Sequence, residues 1–392
     1  MSLNKVMIIA GETSGDTLAA ELIEAIKKRA SRASSITFFG AGGPKMAAAG
    51  VSLSIDLTRH AVVGLVEVLR RYFTFRRWFM ELLDDAIQRQ PDLIVLVDYS
   101  GFNRRFAMAV KNWVRTRRSH PFLNWNPKIV YYVSPQVWAS RPGRAKTMER
   151  DIDLLISIFP FEKAWYTDHA PGLEVKYVGN PIHDRYPGKH AEIGDESRPL
   201  HNPVNLVLLP GSRSAELRRH LPVMIQAYRR LQTKHSLQPW LILPRKTLTD
   251  QARNICREQG IEIPVQHGKL KEAMAKGDLA LASTGTVLLE CAYFGLPTIA
   301  IYKTSWGTFQ VGKRIISVPY LSMPNLLANE MVIPEFIQNA ATGPALASAA
   351  ESLLENPELR RSTRVKLRAI VASLGPPGAA KRAAVEIIRR FD

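Results

Sequence analysis

The stretch 279-LALASTGTVLLECAYFGLPTIAIY-302 decides the fold, because a strand, a sharp polar turn, a short helix and a second strand follow without interruption. This order predicts a βαβ unit. The turn offers small residues whose backbone amides can face a ligand at the helix N-terminus, where partial positive charge favours a phosphate. The residues of this turn are Ser283, Thr284, Gly285 and Thr286.

Glu290 lies one helical turn beyond Thr286 on the same face, so it can accept hydrogen bonds from sugar hydroxyls attached to that phosphate. Gly295 ends the helix, and Pro297 prevents its extension. The pattern G-T-x-x-x-E-C-x-x-x-G-x-P resembles the nucleotide-diphosphate motif of two-domain glycosyltransferases. An ordinary crossover in which a threonine merely caps the helix is the alternative.

A chain of 392 residues that is 46% hydrophobic and 22% charged is long enough for two hydrophobic cores. Its two cysteines, Cys256 and Cys291, cannot form a disulfide framework and indicate a reducing compartment. The first apolar run, Val6 to Ala10, is a core strand and not a secretory signal, and no apolar stretch reaches the roughly 18 residues of a membrane span.

The net charge of +18 indicates an anionic partner, for which nucleic acid and anionic lipid are both candidates. Residues 64–83 interleave aromatic residues with arginines, and this pattern fits a helix at a bilayer interface. A core helix with a solvated basic face is the alternative. The candidate membrane residues are Arg70, Arg71, Phe75, Arg76, Arg77, Trp78 and Phe79.

In the N-terminal half, a strand over residues 5–10 precedes the turn GETSGD and a helix predicted from Thr17. The apolar run Leu93 to Val97 is a central strand that delivers Asp98 at its C-terminal end, where open α/β sheets bind ligands. A carboxylate there can act as a general base, or it can cap the following helix. A further strand ends in Ser134-Pro135-Gln136-Val137-Trp138 at the same edge.

In the C-terminal half, the polar stretch from Pro187 to Pro203 is the predicted interdomain connection. The strand that follows leads into Pro210-Gly211-Ser212-Arg213. Gly211 and Ser212 permit close backbone approach, and Arg213 is placed to neutralise a diphosphate unless it is a surface charge.

Strands and helices alternate in each half, which predicts an α/β fold of two doubly wound Rossmann-like domains facing a cleft. Residues 1–190 form the predicted acceptor-binding and membrane-associating domain, and residues 200–370 form the predicted UDP-sugar-binding domain. Residues 375–392 form a C-terminal helix that follows a strong break, so it can pack back on the N-terminal domain or on a partner subunit.

Taken together, eight segments resemble the lipid-A-disaccharide synthase family across nearly the whole chain. They are GETSGD at 11–16, GLVEVL at 64–69, DYSGFN at 98–103, YYVSPQVWA at 131–139, VGNP at 178–181, LLPGSR at 208–213, STGTVLLE at 283–290 and PNLLANE at 324–330. Three residues depart from the family pattern, namely Ser100, Ser140 and Asn180. They leave the proposed phosphate and base positions untouched, but the resemblance does not extend to the fine shape of the acceptor pocket or to a histidine at position 180.

The resemblance implies a GT-B type fold and an inverting hexosyltransferase. Its reaction transfers 2,3-diacylglucosamine from UDP-2,3-diacylglucosamine to 2,3-diacylglucosamine 1-phosphate (lipid X), giving a β-1,6-linked disaccharide phosphate and UDP in Gram-negative lipopolysaccharide synthesis. It also implies a peripheral location on the cytoplasmic face of the inner membrane, and a homodimer is left open. Acceptor-side candidates on the matching segments are Glu12, Ser14, Gly15, Asp16, Asn103, Gln136 and Asn325.

The residues themselves support this chemistry. Asp98 is the candidate base for the acceptor hydroxyl, while Arg213 and the turn 283–286 can stabilise departing UDP. No cofactor and no metal is expected, since the sequence has no His/Cys cluster at ligand spacing. A UDP-sugar epimerase of similar architecture and a basic nucleic-acid-binding protein are the alternatives; the first has no use for a membrane helix, and the second lacks a fold signature.

Overall fold

The computed structural model describes residues 3–30, 35–58, 72–117, 124–186 and 198–391. The chain forms two compact units, of which the first comprises Met1–Arg185 together with Leu374–Asp392. The second unit comprises Tyr186–Ser373. The chain therefore leaves the first unit once and returns to it for its last helix.

The first unit is built on a seven-stranded sheet in which all neighbouring strands are parallel, in the order β3-β2-β1-β4-β5-β6-β7. Its central strands are buried on both faces, which is why they read as continuous apolar runs. The strands are β1 Lys5–Ala10, β2 Thr37–Gly42, β3 Ser52–Asp56, β4 Leu93–Val97, β5 Lys128–Tyr132, β6 Leu154–Ser157 and β7 Val175–Tyr177.

Helices numbered in chain order cover this sheet. Those of the first unit are α1 Thr13–Arg29, α2 Pro44–Ala48, α3 Tyr72–Arg89, α4 Ser100–Arg117, α5 Arg144–Asp151, α6 Pro160–His169, α7 Ile182–Arg185 and α16 Ala379–Ile388. The first helix begins at Thr13 and not at the predicted Thr17, because Glu12 is already in the N-cap position and its carbonyl accepts from the Asp16 amide at 2.8 Å. Most of GETSGD is therefore helix.

The second unit has a six-stranded parallel sheet in the order β10-β9-β8-β11-β12-β13. Its strands are β8 Val204–Leu209, β9 Leu237–Leu243, β10 Val265–His267, β11 Leu279–Ser283, β12 Thr298–Tyr302 and β13 Glu335–Ile337. Its helices are α8 Ser214–Leu231, α9 Lys246–Glu258, α10 Leu270–Lys276, α11 Thr286–Tyr293, α12 Trp306–Ile315, α13 Met323–Ala328, α14 Gly343–Glu355 and α15 Pro357–Ser373. Most of the predicted connection, residues 187–197, lies outside the described residues.

Each sheet reverses its strand order once, between β1 and β4 in the first unit and between β8 and β11 in the second. In open parallel sheets, ligands bind outside the carboxyl ends of the strands at such a reversal. The loop after β1 is GETSGD and the residue after β4 is Asp98. The loops after β8 and β11 are Pro210–Arg213 and the turn 283–286, so the topology places all four predicted segments at a switch point of their own unit.

Within the described ranges, no helix is long and apolar enough to cross a membrane.

Candidate active site

Asp98 directly follows β4 and lies half-buried at the switch point of the first sheet. Its backbone and that of Tyr99 both have a φ of 48°, a left-handed conformation that is rare for residues other than glycine, asparagine and aspartate. Its amide donates to the Tyr132 carbonyl of the neighbouring strand at 3.0 Å. Two consecutive residues in this region persist only when surrounding contacts hold them.

Two buried side chains hold the Asp98 carbonyl. The Asn103 amide nitrogen donates to it at 2.9 Å and also to the Val97 carbonyl at 3.2 Å. The Tyr131 hydroxyl donates to the same Asp98 oxygen. Burial, and then the nearby Asp98 charge, raise the pKa of Tyr131 well above its usual value, so this hydroxyl keeps its proton and stays a donor.

The GETSGD segment supports Asp98 by close packing. A Cβ on Gly11 would lie 2.2 Å from the Tyr99 ring, so only glycine allows this ring to lie there. Gly15 is buried where α1 approaches Ala10 and the Val97 carbonyl. Burial, with the charge of Glu12, raises the pKa of Tyr99 to about 12. Glu12 and Ser14 are half-buried in the same segment.

Asp16 requires a correction. It was expected on the acceptor side, but its side chain is buried and its carboxylate accepts three backbone amides from the start of α2. These amides belong to Gly43 at 2.9 Å, Met46 at 3.0 Å and Lys45 at 3.1 Å. Asp16 is therefore a capping residue that ties α2 to α1.

The turn after β5 is held by a buried carboxylate that sequence reasoning missed. Glu162, near the start of α6, accepts the Trp138 indole N–H at 3.1 Å and the Phe159 amide at 3.2 Å. Burial raises the pKa of the Glu162 carboxyl to about 7, against the opposing effect of these hydrogen bonds. The spacing from Phe159 to Glu162 is that of a capping box, which was the available signal. Gln136 is exposed at the tip of this turn.

In the second unit, the turn 283–286 has the geometry of an anion site. Gly285 is the N-cap of α11 and has a φ of 145°, a conformation that favours glycine. It accommodates a Cβ sterically, since no other group lies within 4 Å of that position. No side chain caps this helix, and Gly285 and Thr286 are exposed while Ser283 is buried at the strand end. The first amides of α11 thus face outward.

Glu290 lies on α11 and is 9% exposed. The Tyr186 hydroxyl donates to its Oε1 at 3.2 Å, and the Tyr293 hydroxyl donates to the Tyr186 carbonyl at 2.6 Å. These contacts orient the Glu290 carboxylate, and the sequence contained no local signal for Tyr186.

The loop Pro210–Arg213 is ordered by Glu216, a second residue that sequence reasoning left unassigned. One Glu216 oxygen accepts the Ser212 amide at 2.9 Å, and the other accepts the Arg213 guanidinium at 2.8 Å. Gly211 has a φ of 127°, and a Cβ there would come within 2.5 Å of Glu216. Gly211 is thus required by the turn, and Arg213 is oriented by an ion pair.

His220 links this loop to the loop after β12. The Lys303 amide donates to its Nε2 at 3.0 Å, so its Nδ1 carries the proton and donates to the Pro210 carbonyl at 2.8 Å. Burial lowers the pKa of His220, which keeps the ring neutral and this tautomer in place.

Asn325 also requires a correction, because its amide is used within the fold. Its oxygen accepts the Val332 and Ile333 amides, and its nitrogen donates to the Ile333 carbonyl and to Glu335. The side chain is fully buried. Asn325 therefore orders a loop and has no capacity left for an acceptor sugar.

The predicted lipid-facing aromatics of α3 face the opposite way. Trp78 is only 8% exposed and belongs to the core, and Phe75 and Phe79 pack against the same core. The exposed face of α3 instead presents Phe73, Arg76, Arg77 and Met80. The prediction is wrong for the three aromatics because their spacing matches the core-facing stripe. Arg70 and Arg71 lie outside the described residues.

Among the residues that the structure describes, no group of three His, Cys, Asp or Glu side chains is placed to hold a metal ion.

Two parallel sheets, each with its loops at a switch point, define an α/β protein of the GT-B fold class. Solved structures have the same architecture. A UDP-GlcNAc 2-epimerase from Neisseria meningitidis matches 98% of this chain and 100% of its own with a TM-score of 0.62 at 12% identity. MurG from Acinetobacter baumannii matches 98% of this chain and 99% of its own chain, with a TM-score of 0.55 at 14% identity. These likenesses confirm the predicted fold class.

Sequence relatives identify the family. The model of the family described as lipid-A-disaccharide synthetase matches residues 6–387. The lipid-A-disaccharide synthase of Geobacter sulfurreducens is 35% identical over 385 residues, which are 97% of this chain and 96% of that protein. The Myxococcus xanthus enzyme is 33% identical over 389 residues, covering 98% and 97%. The chain belongs to the lipid-A-disaccharide synthase family, and its activity is that of a UDP-sugar hexosyltransferase in lipid A biosynthesis.

Proposed function

We propose that the first unit binds 2,3-diacylglucosamine 1-phosphate, and that Asp98 removes the proton from its 6-hydroxyl as this oxygen attacks the sugar of UDP-2,3-diacylglucosamine. Attack on the face opposite UDP inverts the anomeric centre and forms the β-1,6 bond. The observation that carries the proposal is the position of Asp98 at the carboxyl end of β4, in a strained backbone held by Asn103 and Tyr131.

This support suits a general base. A carboxylate accelerates proton transfer only if it is held within hydrogen-bond reach of the reacting hydroxyl. The Asn103 and Tyr131 contacts bind the backbone carbonyl of Asp98, so they position the residue through its main chain. The ring of Tyr99, the residue after Asp98, packs closely against Gly11, so the backbone is also held on that side of Asp98.

The second unit supplies the groups that UDP requires. The amides at the start of α11 and the Arg213 guanidinium favour the diphosphate, and they stabilise the charge that develops as UDP departs. Glu290, oriented by Tyr186, is the candidate acceptor for the ribose hydroxyls. Gly285 permits the phosphate to approach the backbone, and Ser283, Thr284 and Thr286 complete the turn.

Both substrates carry acyl chains, so we assign the protein to the lipid surface as a peripheral protein on the cytoplasmic face of the inner membrane. The exposed face of α3 supports this assignment. Phe73 is 78% exposed and Met80 is 46% exposed, and Arg76 and Arg77 lie beside them on the surface. Apolar side chains flanked by arginines suit an interface with anionic headgroups.

The test is release of UDP from UDP-2,3-diacylglucosamine, measured with and without the acceptor, in the wild type and in Asp98→Asn. Asparagine tolerates the left-handed backbone, so the variant should fold and bind UDP normally. Loss of the base should lower kcat by about 10² to 10⁴. Asp84→Asn, an exposed acid on α3, is the matched control and should retain wild-type turnover.

A near-normal kcat in Asp98→Asn would reduce Asp98 to a structural residue of the β4 edge. Failure of the wild type to release UDP with this donor and acceptor would overturn the proposed reaction as a whole.

A further inference from the structure

Four arginines gather where two neighbouring helices of the first unit begin. Arg104 and Arg105 lie on α4, the helix that begins two residues after Asp98, and Arg141 and Arg144 lie at the start of α5. The two helices pack against each other. The backbone fixes the second pair, since the Arg141 amide donates to Val137 at 2.8 Å and the Arg144 amide donates to Arg141 at 3.0 Å. We call these four residues the arginine cluster.

The cluster has no acidic partner among the residues that the structure describes. None of its four guanidinium groups makes an ion pair or a side-chain hydrogen bond there. Other arginines on the same two helices are paired, since Arg115 contacts Asp151 at 3.1 Å and Arg150 contacts it at 2.9 Å. The Nε of Arg104 is buried without a partner. Within the described part of these two helices, the four positive charges of the cluster are therefore not compensated, whereas those of Arg115 and Arg150 are.

Burial and the proximity of these positive charges lower the pKa values of two arginines in the cluster. Partial burial, followed by the positive charges of Arg104, Arg141 and Arg105, lowers the pKa of Arg144 to about 10. Burial also lowers the pKa of Arg104, and Arg105 and Arg141 add to the effect. Like charges disfavour one another's ionised state, so an anion bound among them would be stabilised by all four.

We propose that the arginine cluster binds the phosphomonoester of the acceptor sugar and so sets which end of the acceptor faces Asp98. This inference rests on the proposed function and deepens it, since it assigns the group that distinguishes the acceptor from a neutral diacylated sugar. A phosphomonoester carries a charge of about −1.5 to −2 at neutral pH and three acceptor oxygens. Guanidinium groups bind such oxygens in pairs.

The position of Arg104 connects the cluster to the base. Arg104 interacts electrostatically with Tyr131, whose hydroxyl donates to the Asp98 carbonyl, and with Tyr166. The Tyr166 hydroxyl donates to the Pro135 carbonyl at 2.8 Å, in the turn after β5. The cluster thus borders the edges of both β4 and β5. A phosphate held there lies at the same carboxyl edge of the sheet as Asp98, which favours the acceptor over a headgroup bound elsewhere on the surface.

The experiment compares the double variant Arg141→Gln/Arg144→Gln with wild type on two acceptors, 2,3-diacylglucosamine 1-phosphate and the same lipid without its phosphate. Assays use neutral detergent micelles, and are repeated with anionic phospholipid added. The matched control is Arg253→Gln/Arg257→Gln, which removes two exposed arginines from α9 in the second unit. Arg141→Lys/Arg144→Lys keeps the charge but loses the paired geometry, and thermal unfolding verifies that each variant is folded.

For the glutamine double variant, KM for the phosphorylated acceptor should rise about tenfold or more. KM for the dephosphorylated acceptor, and KM for the donor, should change less than twofold. The lysine double variant should lie between the two, and the α9 control should match wild type. Calorimetry measures the binding of glucosamine 1-phosphate directly. Its affinity should be highest in the wild type and the α9 control, lower in the lysine double variant and lowest in the glutamine double variant.

Equal increases in KM for both acceptors would overturn the proposal, because the cluster would then not bind the phosphate group of the acceptor. An effect that appears only with anionic phospholipid present would also overturn it, in favour of a headgroup site. If the wild type fails to turn over but binds glucosamine 1-phosphate through these arginines, the phosphate site stands and the proposed reaction fails. If the wild type turns over and the glutamine variant binds the sugar phosphate unchanged, the reaction stands and the phosphate site fails.

Discussion

Asp98 and Tyr99 adopt a backbone conformation that neither residue prefers, and the surrounding side chains determine it. Non-glycine residues in the left-handed region typically cost about 1 to 3 kcal/mol each, so the strain at β4 must be offset by nearby contacts. Asn103 and Tyr131 provide them at the Asp98 carbonyl. Strain that is retained beside a carboxylate at a switch point is an argument for function, because a merely capping aspartate would not need it.

Glu162 makes the turn after β5 sensitive to pH. Its pKa is raised from 4.5 to about 7 by burial, so the folded state holds a proton that the unfolded state releases between these values. Stability should therefore fall as pH rises from about 4.5 to about 7 and then level off, by up to about 3 kcal/mol. Glu162→Gln should remove this dependence, since glutamine keeps an oxygen acceptor for Trp138.

Denaturant unfolding at pH 5, 6, 7 and 8 measures the effect as the stability difference between Glu162→Gln and wild type. The difference should grow in favour of the variant with rising pH. Glu24→Gln, an exposed acid on α1, provides the control and should follow the wild type throughout. A constant difference between Glu162→Gln and wild type across this range would contradict a raised pKa for Glu162.

At the scale of the element, α3 has one face that packs on the core and another that is exposed to solvent. Trp78 and Leu82 are buried, and the Trp78 ring meets Phe75 edge-on with centroids 5.4 Å apart. Phe73 and Met80 are exposed on the other side, together with two arginines. The helix thus has a core-facing aromatic stripe and a smaller apolar group that faces solvent.

Substitution should divide these roles. Phe73→Ser/Met80→Ser should leave the unfolding temperature unchanged but reduce the salt-resistant part of co-sedimentation with anionic vesicles, because apolar insertion is not screened by ions. Arg76→Gln/Arg77→Gln should reduce the salt-sensitive part, by roughly 1 kcal/mol for each arginine. Trp78→Ser should instead destabilise the protein by about 3 to 5 kcal/mol. Undiminished vesicle binding by the folded Phe73→Ser/Met80→Ser variant would exclude α3 as a membrane contact.

The sequence alone predicted the elements that carry the site better than the contacts within it. Buried parallel strands are recognisable in the sequence as apolar runs, and the residues that follow each run lie at the carboxyl edge of the sheet. The positions of Asp98, Arg213 and the turn 283–286 at this edge could therefore be predicted. The roles of Asp16 and Asn325 could not be predicted. Asp16 binds the amide of Gly43, the N-cap of α2, which lies 27 residues later in the chain, and that pairing exists only after the sheet has formed.

The core-facing side of α3 could not be predicted from composition, because a helix rich in both aromatics and arginines can place either group inward. The spacing of Phe75, Trp78, Phe79 and Leu82 is that of a core stripe, and the structure places it there. Glu216 and Glu162 were accessible in principle through the capping pattern at a helix start, whereas Tyr131 and Tyr186 were not, since their partners are distant in sequence.

At the scale of the whole molecule, the last helix belongs to the first unit although the whole of the second unit precedes it. α16 packs on α1, and its start is bound by the Asp184 carboxylate, which accepts the Gly378 and Ala380 amides. Arg382 donates to the carbonyls of Val178 at 2.7 Å and Pro376 at 2.6 Å. The segment before the chain leaves the unit is thus tied to the segment that returns.

Arg382→Ala should weaken the first unit while leaving UDP binding by the second unit intact, since the Arg382 guanidinium donates to three backbone carbonyls of the first unit. The variant loses these charge-assisted hydrogen bonds, one of which is partly buried, so the expected loss is about 1 to 3 kcal/mol. Arg389→Ala, at the exposed C-cap of the same helix, should have almost no effect. Thermal unfolding with and without UDP measures both properties, because a bound ligand stabilises only the unit that binds it.

The transition that UDP does not shift should move to lower temperature in Arg382→Ala, and the shift produced by UDP should equal that of the wild type. A reduced UDP shift, or a single transition displaced as a whole, would mean that the last helix supports both units together.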